Sequence, residues 1–492
     1  MPGRVTRLRT QLVAVAGAGL LVTVTACGSQ VPPTVYIGNP HYAFGQASGT
    51  SAPTGVAASV GASSVATSAP ASGSALPTGP ASGRPSGVVT TTGTAGGGSQ
   101  GGGGANAAAG VTAGSCAGFK TGTGISSSTI TVANIADISG PVPGLFKSAQ
   151  AAVTAYVAYF NATSNICGRK LKLVNLDSGT SAGGDQQATQ TACDNAFATI
   201  GSLATFDSGG VSTGEGCGLP EIPAITTEPA RQAASNSFAT YGTSPTSYPA
   251  AVPNFFKGLA PDIAANAAMI YINAGAGVTV SKQIMNAFGK DGFTFKDVIV
   301  YDATSVPNWN GYVSQLQSHG DKFVMYTGDA PDAAKLKSAM YQAAYNPVFV
   351  PSVTSYDPSF VGTGDQTKAV DGTYVYMANP LVSEAASNPE LATYETWLSR
   401  TAGGTATYFG IYSWAAAKLF TQLAIQLGGQ LTRPSLLTAL RNTHAFTANG
   451  LVPPQDVGGK QFSPCITVAQ LQNGQWVRRS PAPYLCQGLI QL

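Results

Sequence analysis

The sequence contains little charge and almost no histidine, and these scarcities exclude several classes of function. Charged residues make up 10% of the 492 positions, and the formal net charge is only +3. A nucleic-acid surface requires clustered Lys and Arg, and the chain has no such cluster, so nucleic acid is not expected as a partner. None of the three histidines, His41, His319 and His444, is close to a cysteine, and no CxxC pair occurs. We therefore expect neither a metal site nor a redox centre nor a bound cofactor.

Catalytic patterns are equally sparse. There is no P-loop, so the chain is not expected to hydrolyse ATP. Residues 179–183 fit the pattern G-x-S-x-G between a strand and a helix, which is the context of a hydrolase nucleophile. A triad would also require a histidine base, and the later candidates, His319 and His444, lie near polar helix ends. In a chain rich in Gly, Ser and Thr such a match arises by chance, and we expect no enzymatic activity.

The amino terminus has the features of an export signal. Three arginines in the first nine residues precede an apolar run over 12–24, which is too short to span about 30 Å of hydrocarbon. The run ends in Val24-Thr25-Ala26-Cys27, which resembles the lipobox of bacterial lipoproteins. The resemblance implies a signal peptide over 1–26, acylation of Cys27 and anchoring to the outer face of the cell membrane. The alternative is an ordinary secreted protein in which Cys27 is incidental.

The segment that follows, residues 27–115, is composed almost entirely of Gly, Ala, Ser, Thr, Pro and Val. Between 28 and 115 its one formal charge is Arg84. No periodic apolar face is available to offset the entropy of ordering the chain. We interpret it as a flexible linker with an r.m.s. span of roughly 50 Å, suited to holding a folded part away from a membrane.

Six cysteines remain after Cys27, an even number that in an exported chain indicates disulfides. Six cysteines allow fifteen pairings, and the sequence does not choose among them. Pairing neighbours along the chain gives the expected set, which is Cys116–Cys167, Cys193–Cys217 and Cys465–Cys486.

Residues 116–492 alternate between β-branched runs and helical apolar spacing. Strands are predicted at 128–135, 170–176, 198–203, 221–226, 268–273, 296–301, 322–326 and 348–353. Helices are predicted at 145–160, 185–197, 280–288, 309–318, 333–344, 391–398 and 408–427. The stretch 466–477 is predicted to be a hairpin that turns at Asn473-Gly474.

Two βαβαβ runs in series predict an α/β fold with two lobes, each a parallel sheet flanked by helices, and a cleft between them. Ligands of open parallel sheets bind beyond the carboxyl ends of the strands. The loops expected to line the cleft are 136–144, 202–210, 226–230, 273–278, 326–331 and 353–358.

The order of motifs in the folded part resembles a known family. The motifs are SGPVPG before a long helix, GRKLKLVNLDSGT, ATIGS, GLPEIPAITTEP and SWAAAKLFTQLAIQLGG. Together they are similar to type I periplasmic binding proteins, and more closely to the branched-chain amino-acid (Leu/Ile/Val-type) solute-binding proteins of ABC importers. The resemblance implies a hinge cleft between an amino lobe, 116–247 plus 380–450, and a carboxyl lobe, 248–379 plus 451–492.

The resemblance also implies site residues. In the amino lobe of this family, hydroxyls and backbone N–H groups grip a ligand carboxylate, and the matching positions here are Ser202, Thr205, Thr226 and Thr227. The carboxyl lobe supplies an acid and tyrosines, for which the candidates are Tyr326, Asp329, Tyr356 and Asp357.

Some of these candidates have a structural alternative. Asp329 precedes Ala330-Pro331 and Asp357 precedes Pro358, so both are also candidate helix caps. Tyr326 is equally interpretable as a buried strand residue. The family's tyrosine soon after residue 273 is missing, since the chain reads AGAGV over 274–278, and this departure weakens the expectation of an amino-acid ligand.

The expected function is therefore that of an extracytoplasmic solute-binding lipoprotein. It would capture a small polar ligand, an amino acid or a related compound, and present it to an ABC permease in the membrane. Two alternatives remain open at this point. The same fold serves ligand-sensing receptor domains that signal to a membrane partner, and a surface protein with a degenerate cleft would bind a protein instead.

Overall fold

A computed structural model describes residues 111–140, 143–273, 276–302, 305 and 307–492. The predicted signal peptide, Cys27 and most of the predicted linker lie outside the described residues. Within them, no helix combines the length and apolar character needed to cross a membrane.

The strands and helices are numbered here in chain order. The strands are β1 Thr129–Ala136, β2 Lys170–Asp177, β3 Ala198–Ile200, β4 Glu221–Ile222, β5 Ser247–Pro249, β6 Ala267–Ile272, β7 Phe295–Tyr301, β8 Phe323–Thr327, β9 Val348–Pro351, β10 Tyr374–Met377, β11 Cys465–Gln472, β12 Gln475–Arg478, β13 Leu485–Cys486 and β14 Leu489–Gln491. The helices are α1 Lys147–Thr163, α2 Ala182–Asn195, α3 Val211–Cys217, α4 Pro229–Ala233, α5 Ala251–Lys257, α6 Ala276–Lys290, α7 Trp309–His319, α8 Ala330–Gln342, α9 Pro358–Val361, α10 Asp365–Ala369, α11 Pro389–Thr401, α12 Tyr408–Leu427 and α13 Arg433–Arg441. Short 3-10 helices lie at Val353–Ser355, Val382–Ser387 and Gly428–Gln430.

The amino lobe is built on a parallel sheet of order β2-β1-β3-β4. Two of its strands are shorter than the sequence predicts. β3 ends before Gly201, whose φ of 63° breaks the extended chain. β4 ends before Pro223, which has no N–H to donate to a neighbouring strand. The chain therefore leaves both strands early and enters the loops that reach the cleft.

The core of the amino lobe lies where α1 packs against α12. The Tyr156 and Trp414 rings meet edge to face with centroids 4.8 Å apart, and the Tyr156 hydroxyl is 2.6 Å from that of Thr421. Nearly the whole surface of α12 is buried, which explains its apolar composition on all sides. Its bounds, Tyr408–Leu427, are those that the sequence predicts.

The carboxyl lobe repeats the design with a parallel sheet of order β7-β6-β8-β9. Behind this sheet, Phe256, Phe288 and Phe323 are fully buried, and the Phe323 ring stacks on Phe288 and meets Phe256 at a tilt. The α/β prediction of two lobes, each with a helix-flanked parallel sheet, is confirmed.

An antiparallel sheet of order β10-β11-β12 joins the parallel ones. The predicted hairpin forms its β11-β12 part, and Asn473 and Gly474 turn with positive φ of 51° and 76°. β10 and β13, which also pair with β11, were not expected from the sequence.

Three disulfides are formed, between Cys116 and Cys167, Cys193 and Cys217, and Cys465 and Cys486. They are the pairings of chain neighbours that the sequence analysis favours. Two of them lie in the amino lobe, while the third links facing residues of β11 and β13. In chain order, they close loops of 51, 24 and 21 residues.

Candidate functional site

A cavity of about 500 Å³ lies between the lobes, at the carboxyl ends of both parallel sheets. Each of the six predicted loops contributes to its wall, as the geometry of parallel strands requires. Its size falls within the usual range of small-molecule sites, roughly 300–1,000 Å³. The lining residues are Gly144, Leu145, Phe146, Ser148, Thr205, Thr227, Ile272, Ala276, Gly277, Val280, Thr327, Gly328, Asp329, Ala330, Pro331, Ser352, Val353, Thr354, Tyr356, Asp357, Ser359, Thr407, Tyr408 and Phe409.

A second depression of about 890 Å³ lies on the carboxyl lobe alone, along α7, α8 and α10. It is larger, but its lining comes from helices rather than from the carboxyl ends of strands, and Tyr341 within it is half exposed. Of these two cavities, only the cleft is lined by strand ends from both parallel sheets. The cleft is therefore the better candidate.

Thr205 is held in the cleft wall by a buried acid. Asp137 follows β1, is fully buried, and accepts hydrogen bonds at one oxygen from the backbone N–H of Thr205, at 2.8 Å, and from its hydroxyl, at 2.7 Å. The other carboxylate oxygen accepts from the Ser178 hydroxyl and the Thr180 N–H, at 2.6 and 3.1 Å. Asp137 thus ties three loops together beneath the cleft.

Thr227 is held in the same way by a second acid, Asp207. The carboxylate of Asp207 accepts from the N–H groups of Thr227 and Glu228, at 2.8 and 3.0 Å, while the Thr227 hydroxyl donates to the carbonyl of Ala204, at 2.8 Å. Burial raises the pKa of Asp207 to about 7. The loop after β4 is therefore fixed from below by charge and hydrogen bonding.

Arg231 lies under these loops as a buried cation. Its guanidinium pairs with Asp185 at 2.9 Å and with Glu221, and its Nε donates to the backbone carbonyl of Asp207 at 2.7 Å. All three side chains in this ion cluster are at most 6% exposed. Burial raises the pKa of Asp185 to about 6, although the neighbouring guanidinium opposes the shift. The cluster gives the amino-lobe face of the cleft a rigid support.

The apolar wall of the cleft comes mainly from the starts of α1 and α12. Phe146 and Phe409 meet edge to face, with ring centroids 5.1 Å apart, and Leu145 and Tyr408 extend the same surface. The sequence analysis missed Thr407–Phe409, because α12 does not follow a strand of either parallel sheet. The sequence signal for this part of the wall is a threonine cap followed by two aromatic residues at the start of an apolar helix.

On the carboxyl lobe, two predicted acids line the cleft and also cap helices. Asp329 accepts from the Asp332 N–H at 2.8 Å and begins α8, and Asp357 accepts from the Ser359 N–H at 2.8 Å and begins α9. The Oδ2 atom of Asp329 is buried and has no hydrogen-bond partner among the described residues. Burial, reinforced by the Asp332 carboxylate, raises the pKa of Asp329 to about 6. Tyr356, the third predicted residue here, accepts at its hydroxyl from the Val382 N–H at 2.9 Å.

Three predicted site residues lie away from the cleft lining. The Ser202 hydroxyl accepts from the Ile135 N–H at 3.0 Å, and the Thr226 hydroxyl pairs with that of Thr243 at 2.7 Å. Tyr326 is 1% exposed and stacks on Tyr301. In each case the side chain has a partner inside its own lobe, and contact with a ligand remains a prediction.

The hydrolase pattern has a structural explanation. Ser181 is the N-cap of α2 and accepts from the Gly184 N–H at 3.1 Å. His319 pairs with Asp297, and His444 pairs with Asp456, so neither approaches Ser181 as a base. Within the described ranges, no group of three His, Cys, Asp or Glu side chains is placed to hold a metal ion.

Several solved structures with a similar fold are solute-binding proteins. The fatty acid ABC transporter substrate-binding protein from Thermomonospora curvata is 17% identical and superposes with a TM-score of 0.63 over 73% of this chain and 94% of its own. The leucine-binding protein from Thermotoga maritima is 16% identical, with a TM-score of 0.57 over 71% and 97%. An ABC transporter solute-binding protein from R. palustris in complex with benzoate is 16% identical, with a TM-score of 0.59 over 73% and 98%.

Comparison of the sequence with protein families agrees with the structural comparison. A comparison with curated proteins found no match. Residues 129–475, however, match the family described as periplasmic binding protein, and this stretch contains both parallel sheets and every residue that lines the cleft. The chain belongs to the type I periplasmic binding protein family.

Proposed function

We propose that this protein is an extracytoplasmic, lipid-anchored solute-binding protein that captures a small molecule between its lobes and delivers it to an ABC importer. The observation that carries the proposal is the cleft itself, a cavity of about 500 Å³ whose walls come from both lobes. A ligand that touches both walls binds the closed arrangement better than the open one, and only such differential affinity can drive closure. Closure then supplies the state that a permease recognises.

The support for a transport role comes from the family and from the chemistry of the site. The named structural relatives are a fatty acid ABC transporter substrate-binding protein, a leucine-binding protein, and an ABC transporter solute-binding protein in complex with benzoate. The site offers hydrogen-bonding groups and apolar walls. Neither the His319–Asp297 pair nor the His444–Asp456 pair extends to a nucleophile. Binding rather than catalysis is the activity that this arrangement supports.

The direct test is a ligand screen on the full chain with Cys27→Ser, which cannot be acylated. Thermal unfolding is followed in the presence of amino acids, fatty acids, aromatic acids and the matching alcohols and amines, and hits are measured by titration calorimetry. At 100 times its dissociation constant, a ligand stabilises the native state by roughly 2.7 kcal/mol, which raises Tm by a few degrees. If no compound in any class binds, the proposed function is wrong.

The lipid anchor has its own test. Unmodified chain and Cys27→Ser are expressed in a bacterium that processes lipoproteins, and membrane and soluble fractions are compared. We expect the unmodified chain in the membrane fraction and the variant in the soluble one, because one acylated cysteine is the only anchor proposed. Equal distribution of the two would contradict the lipoprotein assignment while leaving the binding proposal intact.

A further inference from the structure

The two threonines in the amino-lobe wall have no hydrogen to offer a ligand. The N–H and the hydroxyl proton of Thr205 both go to Asp137, at 2.8 and 2.7 Å. The N–H of Thr227 goes to Asp207 and its hydroxyl proton to the Ala204 carbonyl, both at 2.8 Å. A hydroxyl that has donated its proton retains only acceptor lone pairs. At both positions the cleft therefore presents acceptors where a bound carboxylate would need donors.

On the carboxyl-lobe wall, two more hydroxyls use their protons within the protein. The hydroxyls of Ser352 and Thr354 lie 2.7 Å apart and 3.0 and 2.9 Å from the carbonyl oxygen of Gly328, so their two protons are shared among these three oxygens. Beside them, Asp329 has a buried Oδ2 that receives no hydrogen bond from the described residues. A buried acceptor without a donor is costly, and the carboxylate charge at the cavity wall favours a ligand that carries a positive charge over one that carries a negative charge.

No positive charge compensates for these acceptors. Among the described residues that line the cleft, the charged side chains are Asp329 and Asp357, and none is Lys, Arg or His. Arg231, a cation beneath the amino-lobe wall, is already paired with Asp185 and Glu221. A carboxylate in this cleft would lose its hydration and meet carboxylates instead of a counter-ion.

From this geometry, and resting on the proposed function, we infer that the ligand is an apolar molecule that carries a hydrogen-bond donor, an alcohol or an amine, and no carboxylate. Its hydrocarbon body lies against the wall formed by Leu145, Phe146 and Phe409, where burial of apolar surface supplies most of the affinity. Its O–H or N–H group donates to the threonine hydroxyls, and a protonated amine is further attracted by the Asp329 carboxylate. The cleft thereby selects against free amino acids, fatty acids and benzoate.

Matched trios of probes test the inference on the full Cys27→Ser chain. One trio shares an aliphatic body, hexanoate, 1-hexanol and hexylamine, and the other an aromatic body, benzoate, benzyl alcohol and benzylamine. Titration calorimetry at neutral pH is expected to give at least tenfold tighter binding for the alcohol or the amine than for the carboxylate of the same trio. Carboxylate binding that equals or exceeds that of its partners overturns the inference, and the proposed function then stands.

A variant isolates the role of the buried acceptor. Asp329→Asn keeps an N-cap oxygen, so α8 is retained, but it replaces a carboxylate by a neutral amide. We expect amine affinity to fall at least tenfold and alcohol affinity to change less than threefold. Asp365→Asn, which removes an exposed charge on α10, is the matched control and is expected to bind as the parent chain does.

Two further outcomes separate the inference from the proposed function. Unchanged amine affinity in Asp329→Asn overturns the attraction of the amine by that carboxylate. If none of the six probes binds, the inference is also wrong. The proposed function fails with it only if the broader screen of amino acids, fatty acids and aromatic acids gives no ligand either.

Discussion

The two lobes share a fold but support their cleft faces by different means. The amino lobe contains buried ion pairs: Arg231 lies between Asp185 and Glu221 beneath the cleft face, and Lys418 of α12 pairs with Glu390 of α11 at 2.6 Å. The carboxyl lobe instead buries a cluster of phenylalanine rings, and among its ion pairs Lys322 and Asp262 are both about half exposed.

The difference lies in what holds each cleft residue. In the amino lobe, Asp137 and Asp207 fix Thr205 and Thr227 from below the loops, so the cleft face depends on buried electrostatics. In the carboxyl lobe, Asp329 and Asp357 are held in the cleft wall because each caps the start of a helix. Buried charges are costly to leave unpaired, whereas exposed pairs contribute little. The amino-lobe face should therefore be the more sensitive to charge removal.

The largest effect is expected from Arg231→Met. The substitution leaves Asp185 and Glu221 buried without their cation, and we expect the free energy of unfolding to fall by roughly 3–5 kcal/mol. Urea-induced unfolding of the full Cys27→Ser chain measures the change. Lys322→Met removes the exposed ion pair of the carboxyl lobe, and no measurable change is expected. Equal losses in the two variants would remove the contrast between the lobes.

The second prediction is that one disulfide of each lobe contributes the same amount to the free energy of unfolding, because the two close loops of similar length. Cys193–Cys217 and Cys465–Cys486 close loops of 24 and 21 residues, so each constrains the unfolded chain by about the same amount. Replacing both cysteines of either pair by serine is expected to reduce the free energy of unfolding by about 3 kcal/mol. A loss confined to one lobe would show that local packing, rather than loop closure, decides the effect.

A third prediction concerns one acid buried in the carboxyl lobe. Burial and the neighbouring Asp297, with which its carboxyl shares a hydrogen bond, raise the pKa of Asp321 to about 7. The native state therefore binds more protons than the unfolded state between pH 4 and 7, and this contribution to stability is lost as the pH rises through 7.

Asp321→Asn stays neutral at every pH and removes that dependence. We expect it to be more stable than the parent at pH 8 by roughly 1–2 kcal/mol, and to match the parent near pH 4, as measured by urea unfolding at both pH values. Asp365→Asn, at an exposed position, serves as the control. A constant difference at both pH values would contradict the proposed titration.

The smallest effect is expected at a helix cap. Thr407 accepts from the Gly410 N–H at 3.0 Å and begins α12 at the cleft. Thr407→Ala is expected to lower the free energy of unfolding by roughly 1 kcal/mol, while Thr407→Asn retains the cap and changes it by less. If both variants are equally destabilised, the hydroxyl's contribution is packing rather than capping.

The sequence predicted the elements whose signals are local. The apolar helix Tyr408–Leu427, the turn at Asn473-Gly474 and the loops after the parallel strands all follow from spacing and turn chemistry. The directions of side chains depend on partners distant in the chain, and the sequence alone does not indicate them. Tyr326 turns toward Tyr301, 25 residues away. The Thr205 hydroxyl turns toward Asp137, 68 residues away, so the sequence pattern does not predict which hydroxyls are already engaged within the protein.

The central claim is that one small molecule is bound by both lobes at once. Titration calorimetry of the tightest ligand from the screen, on Phe409→Ser in the amino lobe and Val280→Ser in the carboxyl lobe, tests it directly. Both residues line the cleft, and each substitution is expected to weaken binding at least fivefold, while Tyr341→Ser in the second depression has no effect. Binding between the lobes would be contradicted if only one of the two cleft variants lost affinity, or if Tyr341→Ser lost affinity.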